Sequence, residues 1–201
     1  MYAAEPGPMA LAGPEVSKGL RSIVESKRIA YHPSHQIVSA DPKKRSLLFE
    51  SGAEAGYDLL AYVPPHRAPR AVRDSDLAAE GGWISVDRHT LATRHPGVYA
   101  IGDVVSIPLT AGKPLPKAGV FAHGQAQVVA KNIASEIKGQ VKRAAFGGTG
   151  VCFVEVGDGK AGVGSGNFYA EPAPHVELKP PGGLWHLGKL LFEKDWLRRW
   201  F

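Results

Sequence analysis

The stretch "GVYAIGDVVSIPLTAGKPLPKAGVFAHGQA", Gly97 to Ala126, decides how the chain is read. Val98–Ile101 is a short apolar run of the kind that forms a buried strand, and it stops at Gly102-Asp103. A glycine at a strand end lets a ligand approach the backbone closely. An aspartate there accepts hydrogen bonds from hydroxyl groups. In open α/β sheets, ligands bind at the carboxyl ends of strands. A helix is expected to open at Lys117, and its free N–H groups favour negative charge on whatever lies between. From these residues alone, Asp103 is either the cap of a turn or a ligand for a bound molecule.

Outward from this stretch, Lys117 to Lys138 reads as a long helix, with Val120, Phe121, Val128, Ile133 and Ile137 apolar and Gly139 as its cap. Trp83–Val86 reads as a strand, and "PPHRAPR", Pro64 to Arg70, as a stiff, basic connector. Before it, Pro14 to Lys27 has the pattern of an amphipathic helix with Val16, Leu20, Ile23 and Val24 on one face. Strand candidates follow at Arg28–Tyr31, Gln36–Ala40, Arg45–Glu50 and Tyr57–Val63. One helix and a run of short strands make the closing part of an α/β domain, or an α+β arrangement if the piece stands alone. Beyond Phe146 the pattern becomes an antiparallel hairpin, "VCFVEV" to "AGVGSGNFYA", then a Pro-rich link and the tail "LWHLGKLLFEKDWLRRWF".

Composition bounds the function. The 201 residues are 44% hydrophobic and 21% charged, ordinary for a folded domain, while 24 Gly and 16 Pro predict many turns. A net charge of +5 permits an anionic partner without demanding one. The basic residues form no continuous stripe with stacking aromatics, which argues against nucleic acid. The single cysteine, Cys152, excludes an internal disulfide and a cysteine-built zinc site, and no metal is expected. No window approaches the roughly 18 apolar residues of a membrane span, and the opening "MYAAEPGPMALAGPE" lacks the pattern of a secretory leader. An intracellular location is expected.

"GDGKAG", Gly157 to Gly162, matches the dinucleotide fingerprint G-x-G-x-x-G, which requires a helix to begin on it. The next residues, "VGSGNFYAEPAP", cannot form one, so a hairpin turn is expected instead. In the tail, Trp185, Trp196 and Trp200 mix with leucines and with Lys189, Lys194, Arg198 and Arg199. That mixture suits the headgroup boundary of a membrane, or docking on the protein's own core or on a second copy.

The residues "TLATRHPGVYAIGDVVSIPLTAGKPLPKAGVFAHGQAQVVAKNIA" resemble the flavin-closing segment of flavoproteins with two dinucleotide-binding domains. "YDLLAYVPPHRAP", "KPLPKAGVFA", "GVCFVEVGDG" and "GKLLFEKDWLRRWF" narrow the resemblance to sulfide:quinone oxidoreductases and their flavocytochrome c sulfide dehydrogenase relatives. The resemblance implies the C-terminal half of such an enzyme. Residues 1–66 would close the second, NAD-type domain; 67–142 would belong to the FAD-binding domain; 143–201 would carry the hairpin and an amphipathic interface helix.

It also implies site residues. Gly102 and Asp103 would meet the ribityl chain of FAD, and Lys117, Ala118 and Gly119 its pyrimidine side, where the lysine charge and the helix dipole stabilise an anionic reduced ring. Pro64 and Pro65 would lie on the other side of the flavin. Cys152, which on its own residues reads as a packed strand cysteine, would be one of a redox pair accepting electrons from sulfide, its partner supplied by an N-terminal half, intact or split. Lys189 would bond a quinone carbonyl, with Phe192 and Val151 around the ring. His123 stands where many quinone-reducing relatives carry Glu and would relay protons. The implied location is cytoplasmic, peripheral on the inner face of a membrane, with a homo-oligomer left open. Two alternatives stand beside this reading: a type II NADH:quinone reductase-like flavoenzyme without sulfide chemistry, and a non-enzymatic membrane-adhering remnant.

Overall fold

The computed structural model describes residues 1–110, 112–141 and 143–201. They divide into two compact units, Met1–Pro65 and His66–Phe201.

In the first unit, α1 (Pro14–Ser26) begins with proline in its first turn and Glu15 beside the helix N-terminus, as the sequence predicts. Its face buries Val16 and Leu20. Three antiparallel strands follow in the order β1 (Ile37–Asp41), β2 (Ser46–Phe49) and β3 (Glu54–Gly56). Asp41 sets the first turn by accepting from the amides of Lys43 and Lys44 at 2.9 and 3.0 Å, and these bonds hold its carboxyl below the usual range. Two expected strands are absent. Arg28–Tyr31 is not extended pairing backbone, because Arg28 leaves the helix at φ 60° in the left-handed region. Tyr57–Val63 has the composition of a strand but no neighbour to pair with among the described residues, and Leu59 and Val63 are exposed. β3 comes instead from Glu54–Gly56, between two of the expected strands.

The second unit opens with the short helix α2 (Arg70–Arg73) and two brief parallel strands, β4 (Ile84–Ser85) and β5 (Val105–Ser106). The expected strand at Val98–Ile101 is reduced to a single bridge from Tyr99 to Ala92. Gly97 (φ 75°) and Gly102 (φ 74°) turn the chain on either side and leave it too short to extend. The long helix α3 (Gly119–Ile137) buries Phe121, Gln125, Val128, Val129 and Asn132.

A three-stranded meander, β6 (Thr149–Glu155), β7 (Ala161–Asn167) and β8 (His175–Gly182), then carries α4 (Gly183–Trp200). The G-x-G-x-x-G match is the β6–β7 turn, with Gly157, Asp158 and Gly159 all at positive φ. The segment read as a Pro-rich link is in fact β8. It is tolerated because β8 is an edge strand and Pro180 and Pro181 fall where its register with β7 slips, between Lys179 and Gly182.

The core of this unit joins α3 to the meander. Phe121 meets Phe146 and Phe168 edge-on at 6.4 and 5.1 Å between ring centres. β6 can approach α3 this closely only through Gly150, where an added Cβ would stand 2.6 Å from the Phe121 ring. Tyr169 closes the cluster: its hydroxyl donates to the Arg88 carbonyl at 2.8 Å, and burial pushes its phenol up to about 12.

Asn132 is 1% exposed and brackets the chain after α3, donating to the Ala144 carbonyl at 3.1 Å and accepting from its amide at 2.7 Å. Asn132→Ala strands both backbone groups and should cost about 2 kcal/mol. Urea unfolding of the variant should show a lower midpoint at unchanged slope, and an unmoved midpoint would refute this role for the amide.

Candidate functional site

Two neighbouring sites in the second unit collect most of the residues singled out above. The first is a narrow cleft between the Gly102–Val105 turn and the start of α3. The Gly102 amide donates to Oε1 of the buried Gln125 at 2.7 Å, and a Cβ at Gly102 would press on that of Ala122 at 3.4 Å. A side chain at Gly102 would be strained by its backbone, at φ 74° in the left-handed region, while sitting in contact with α3. Lys117 works as a clamp. Its Nζ donates to the carbonyls of Asp103 and Val105, the latter at 3.0 Å, and lies 3.6 Å from the Trp83 ring centre. Burial lowers its pKa, and the nearby Asp103 opposes that shift. Asp103 itself is exposed at the tip of the turn.

The second site is a cavity of about 580 Å³ walled by three elements. Gly119, Val120 and His123 come from the first turns of α3; Val151, Cys152 and Phe153 from β6; Lys189, Phe192, Glu193 and Trp196 from α4. Phe153 and Phe192 lie 6.2 Å apart, Phe192 and Trp196 5.8 Å, so one rim is aromatic. His123 stacks edge-on to Trp196 and Trp200 at 5.0 and 5.8 Å, with its Nε2 3.0 Å from the Gln127 amide nitrogen. The residue at the head of α3, Ala118, has no side chain with which to cap it, so the first amides of the helix stay free of a side-chain partner. On the polar rim, Lys189 Nζ donates to Glu193 at 2.8 Å, which raises its pKa and keeps it charged. A largely apolar space of this size, with a cation, an imidazole and a thiol at its edge, suits a flat, hydrophobic molecule carrying polar oxygens.

Gly102, Asp103, Lys117 and Ala118 line the cleft, while Gly119, His123, Val151, Cys152, Lys189 and Phe192 line the cavity. Pro64 and Pro65 belong to the first unit, where they border a hollow with Tyr57, Leu60 and Tyr62. Gln125 and Trp196 carry weight in the site that no sequence motif assigned to them. Gln125 was marked by its position, a polar residue on the apolar face of α3 between Phe121 and Val128. Trp196 follows Phe192 by one helical turn. Among the described residues, no group of His, Cys, Asp and Glu side chains could hold a metal ion, and no helix is long and apolar enough to cross a membrane.

Residues 2–128 match the pyridine nucleotide-disulphide oxidoreductase family, and the chain belongs to it. Within the family it is similar to sulfide:quinone oxidoreductases. It is 29% identical over 96 residues to the mitochondrial enzyme of Mus musculus, and 34% identical over 108 residues to that of Schizosaccharomyces pombe. These alignments cover 44% and 53% of this chain but only 21% and 22% of those proteins. The solved structure of the sulfide:quinone oxidoreductase from Aquifex aeolicus superposes on 98% of the chain with a TM-score of 0.83 at 21% identity, using 48% of its own length. The fold is thus the C-terminal part of the fold of this family, and the chain spans about half of that relative.

The residues present fit a flavin. The cleft has a side-chain-free turn at Gly102, an exposed carboxylate at Asp103 and an uncapped helix start in sequence beyond it.

Cys152 faces the cavity, and the apolar surroundings push its thiol above the ordinary range. A raised pKa leaves less thiolate at any given pH below it, so reaction is slower near neutrality and gains speed only at higher pH. Alkylation by iodoacetamide at about pH 7.5 should be slower than that of glutathione, with a midpoint above the roughly 8.5 of a free cysteine. A rate equal to or above that of glutathione would sink this assignment.

Proposed function

We propose that the chain is the C-terminal half of an FAD-dependent oxidoreductase that passes electrons from sulfide to a quinone. The observation that carries the reading is the single cavity shared by Cys152, His123, Val151, Lys189 and Phe192. Residues 1–66 close an NAD-type domain, 67–142 close the FAD domain, and 143–201 form the acceptor side. Gly102 and Asp103 would hold the ribityl chain, and the start of α3 at Ala118 and Gly119 would face the pyrimidine edge. FAD, when bound, supplies the two-electron carrier between donor and acceptor. Lys117 acts through the turn it clamps, holding Asp103 in place.

On the acceptor side, a quinone ring fits between Val151 and Phe192, with a carbonyl accepting from Lys189. His123, on the α3 wall, moves a proton to the occupant. Sulfide would attack the disulfide that Cys152 forms with a second cysteine from the N-terminal half: the S–S bond breaks, one sulfur keeps the sulfide as a persulfide and the other leaves as a thiolate. The exposed side chains of α4, Leu184, Leu187, Leu191, Leu197 and Phe201, lie at the surface beside basic residues and bring the cavity to the cytoplasmic face of a membrane. One observation favours a flavoenzyme without sulfide chemistry: the apolar surroundings of Cys152 push its thiol up, away from the thiolate that such chemistry uses. Reduction of a reconstituted enzyme by NADH but not sulfide, unaffected by Cys152→Ala, distinguishes that reading.

Binding is measurable on the chain itself, because Trp196 lines the cavity. Decylubiquinone should quench tryptophan fluorescence saturably, and Phe192→Ala or Lys189→Met should weaken its binding by roughly tenfold, the loss of an anchoring group. Quenching that stays linear with concentration, or that Trp196→Phe leaves unchanged, would remove the quinone site. Coexpression with an N-terminal half of a related enzyme should yield bound flavin, diminished by Asp103→Ala.

A further inference from the structure

Behind Lys189 stands a titratable pair that the proposed function does not use. Glu155 is the last residue of β6 and His186 lies in the first turns of α4, and neither lines the cavity. Nδ1 of His186 is 3.2 and 3.1 Å from the two carboxylate oxygens of Glu155. Lys189 follows His186 by three residues on the same helix face. Its Nζ lies 3.9 Å from Glu155 and 2.8 Å from Glu193. Glu155 therefore sits between an imidazole and the ammonium group that borders the cavity. His186 is 30% exposed, enough to meet water, while Lys189 reaches the cavity.

Glu193 already neutralises Lys189 at close range. The second carboxylate with its imidazole extends the polar path away from the cavity toward solvent. We infer that Glu155 and His186 form a proton relay that recharges Lys189 from solvent. The inference rests on the quinone reading of the cavity.

Reduction of a quinone by two electrons requires two protons. In the assembled enzyme the flavin would supply the two electrons. An N–H bond of Lys189 breaks and an O–H bond forms on the carbonyl oxygen that it faces. The resulting phenol-type oxygen has a basicity close to that of a lysine amine, so the transfer is nearly balanced. The neutral amine, no longer held by Glu193, turns toward Glu155; Nδ1 of His186 gives its proton to the Glu155 carboxylate, the carboxyl passes it to the amine, and Nε2 of His186 takes one from water. Imidazole is the side chain suited to that last exchange near neutral pH. The second oxygen is protonated from the opposite wall, where His123 stands, and is not served by this path. The charged and titratable groups around Lys189 are Glu155 from β6, Glu193 and His186 from α4, and, lining the same cavity, His123 from α3 and Cys152 from β6.

The test uses the full chain with decylubiquinone, with an electrode in place of the flavin as reductant. His186→Gln and Glu155→Gln should leave the dissociation constant from tryptophan quenching within about twofold, because neither residue lines the cavity. Film voltammetry at about pH 8 should show reduction of the bound quinone slowed by roughly tenfold or more in both variants. Added imidazole should restore His186→Gln but not Glu155→Gln. Unchanged rates with intact binding would overturn the relay and leave the quinone site standing. Failure of the unsubstituted chain to bind would overturn both. Loss of binding in both variants would make the pair a structural tie between β6 and α4, which also overturns the relay.

Discussion

A backbone amide donating to a buried side chain, Gly102 to Gln125 at 2.7 Å, fixes a loop with little regular structure onto α3. Gln125 is 1% exposed, so its carbonyl has no water to turn to if the loop leaves. The Lys117 ammonium reinforces the attachment from the other side through two backbone carbonyls and the Trp83 face. Because α3 also supplies one wall of the cavity, the position of the Gly-Asp turn and the shape of the cavity are set by the same rigid helix. The meander then joins that helix through Gly150 and Phe121, and α4 packs on the meander. Cleft and cavity are successive outcomes of this one attachment.

The long periodic elements were legible because their burial is one-sided. The apolar spacing in α1 and α3, and the two runs of the hairpin on either side of a glycine-rich turn, survive any reasonable tertiary context. The short elements were not, for reasons particular to each. Tyr57–Val63 and Val98–Ile101 have the residues of strands, but a strand exists only where a partner backbone lies alongside, and composition does not reveal that partner. β8 was hidden by its prolines, whose tolerance depends on lying at an edge and at a register slip.

The site shows the same division. Asp103, His123, Lys189 and Phe192 were reachable through residue type, spacing and family resemblance, and the cavity gathers His123, Lys189 and Phe192 with Cys152. Lys117 illustrates what sequence leaves out: the lysine was expected as a charge aimed at a ring, whereas its protons are directed to backbone carbonyls. Gln125 and the Glu155–His186 pair act through hydrogen bonds that span 23 and 31 residues of chain, and no local pattern signals such a meeting.

The edge-on packing of His123 against Trp196 and Trp200 gives the final turns of α4 a mechanical meaning. Trp196 is part of the cavity wall, while Trp200 lies one helical turn beyond it and is 60% exposed. The imidazole is thus the point at which one helix braces the other. The inner and outer indoles rest on a single ring carried by the first turns of α3, so losing that ring would remove both supports of the aromatic wall at once.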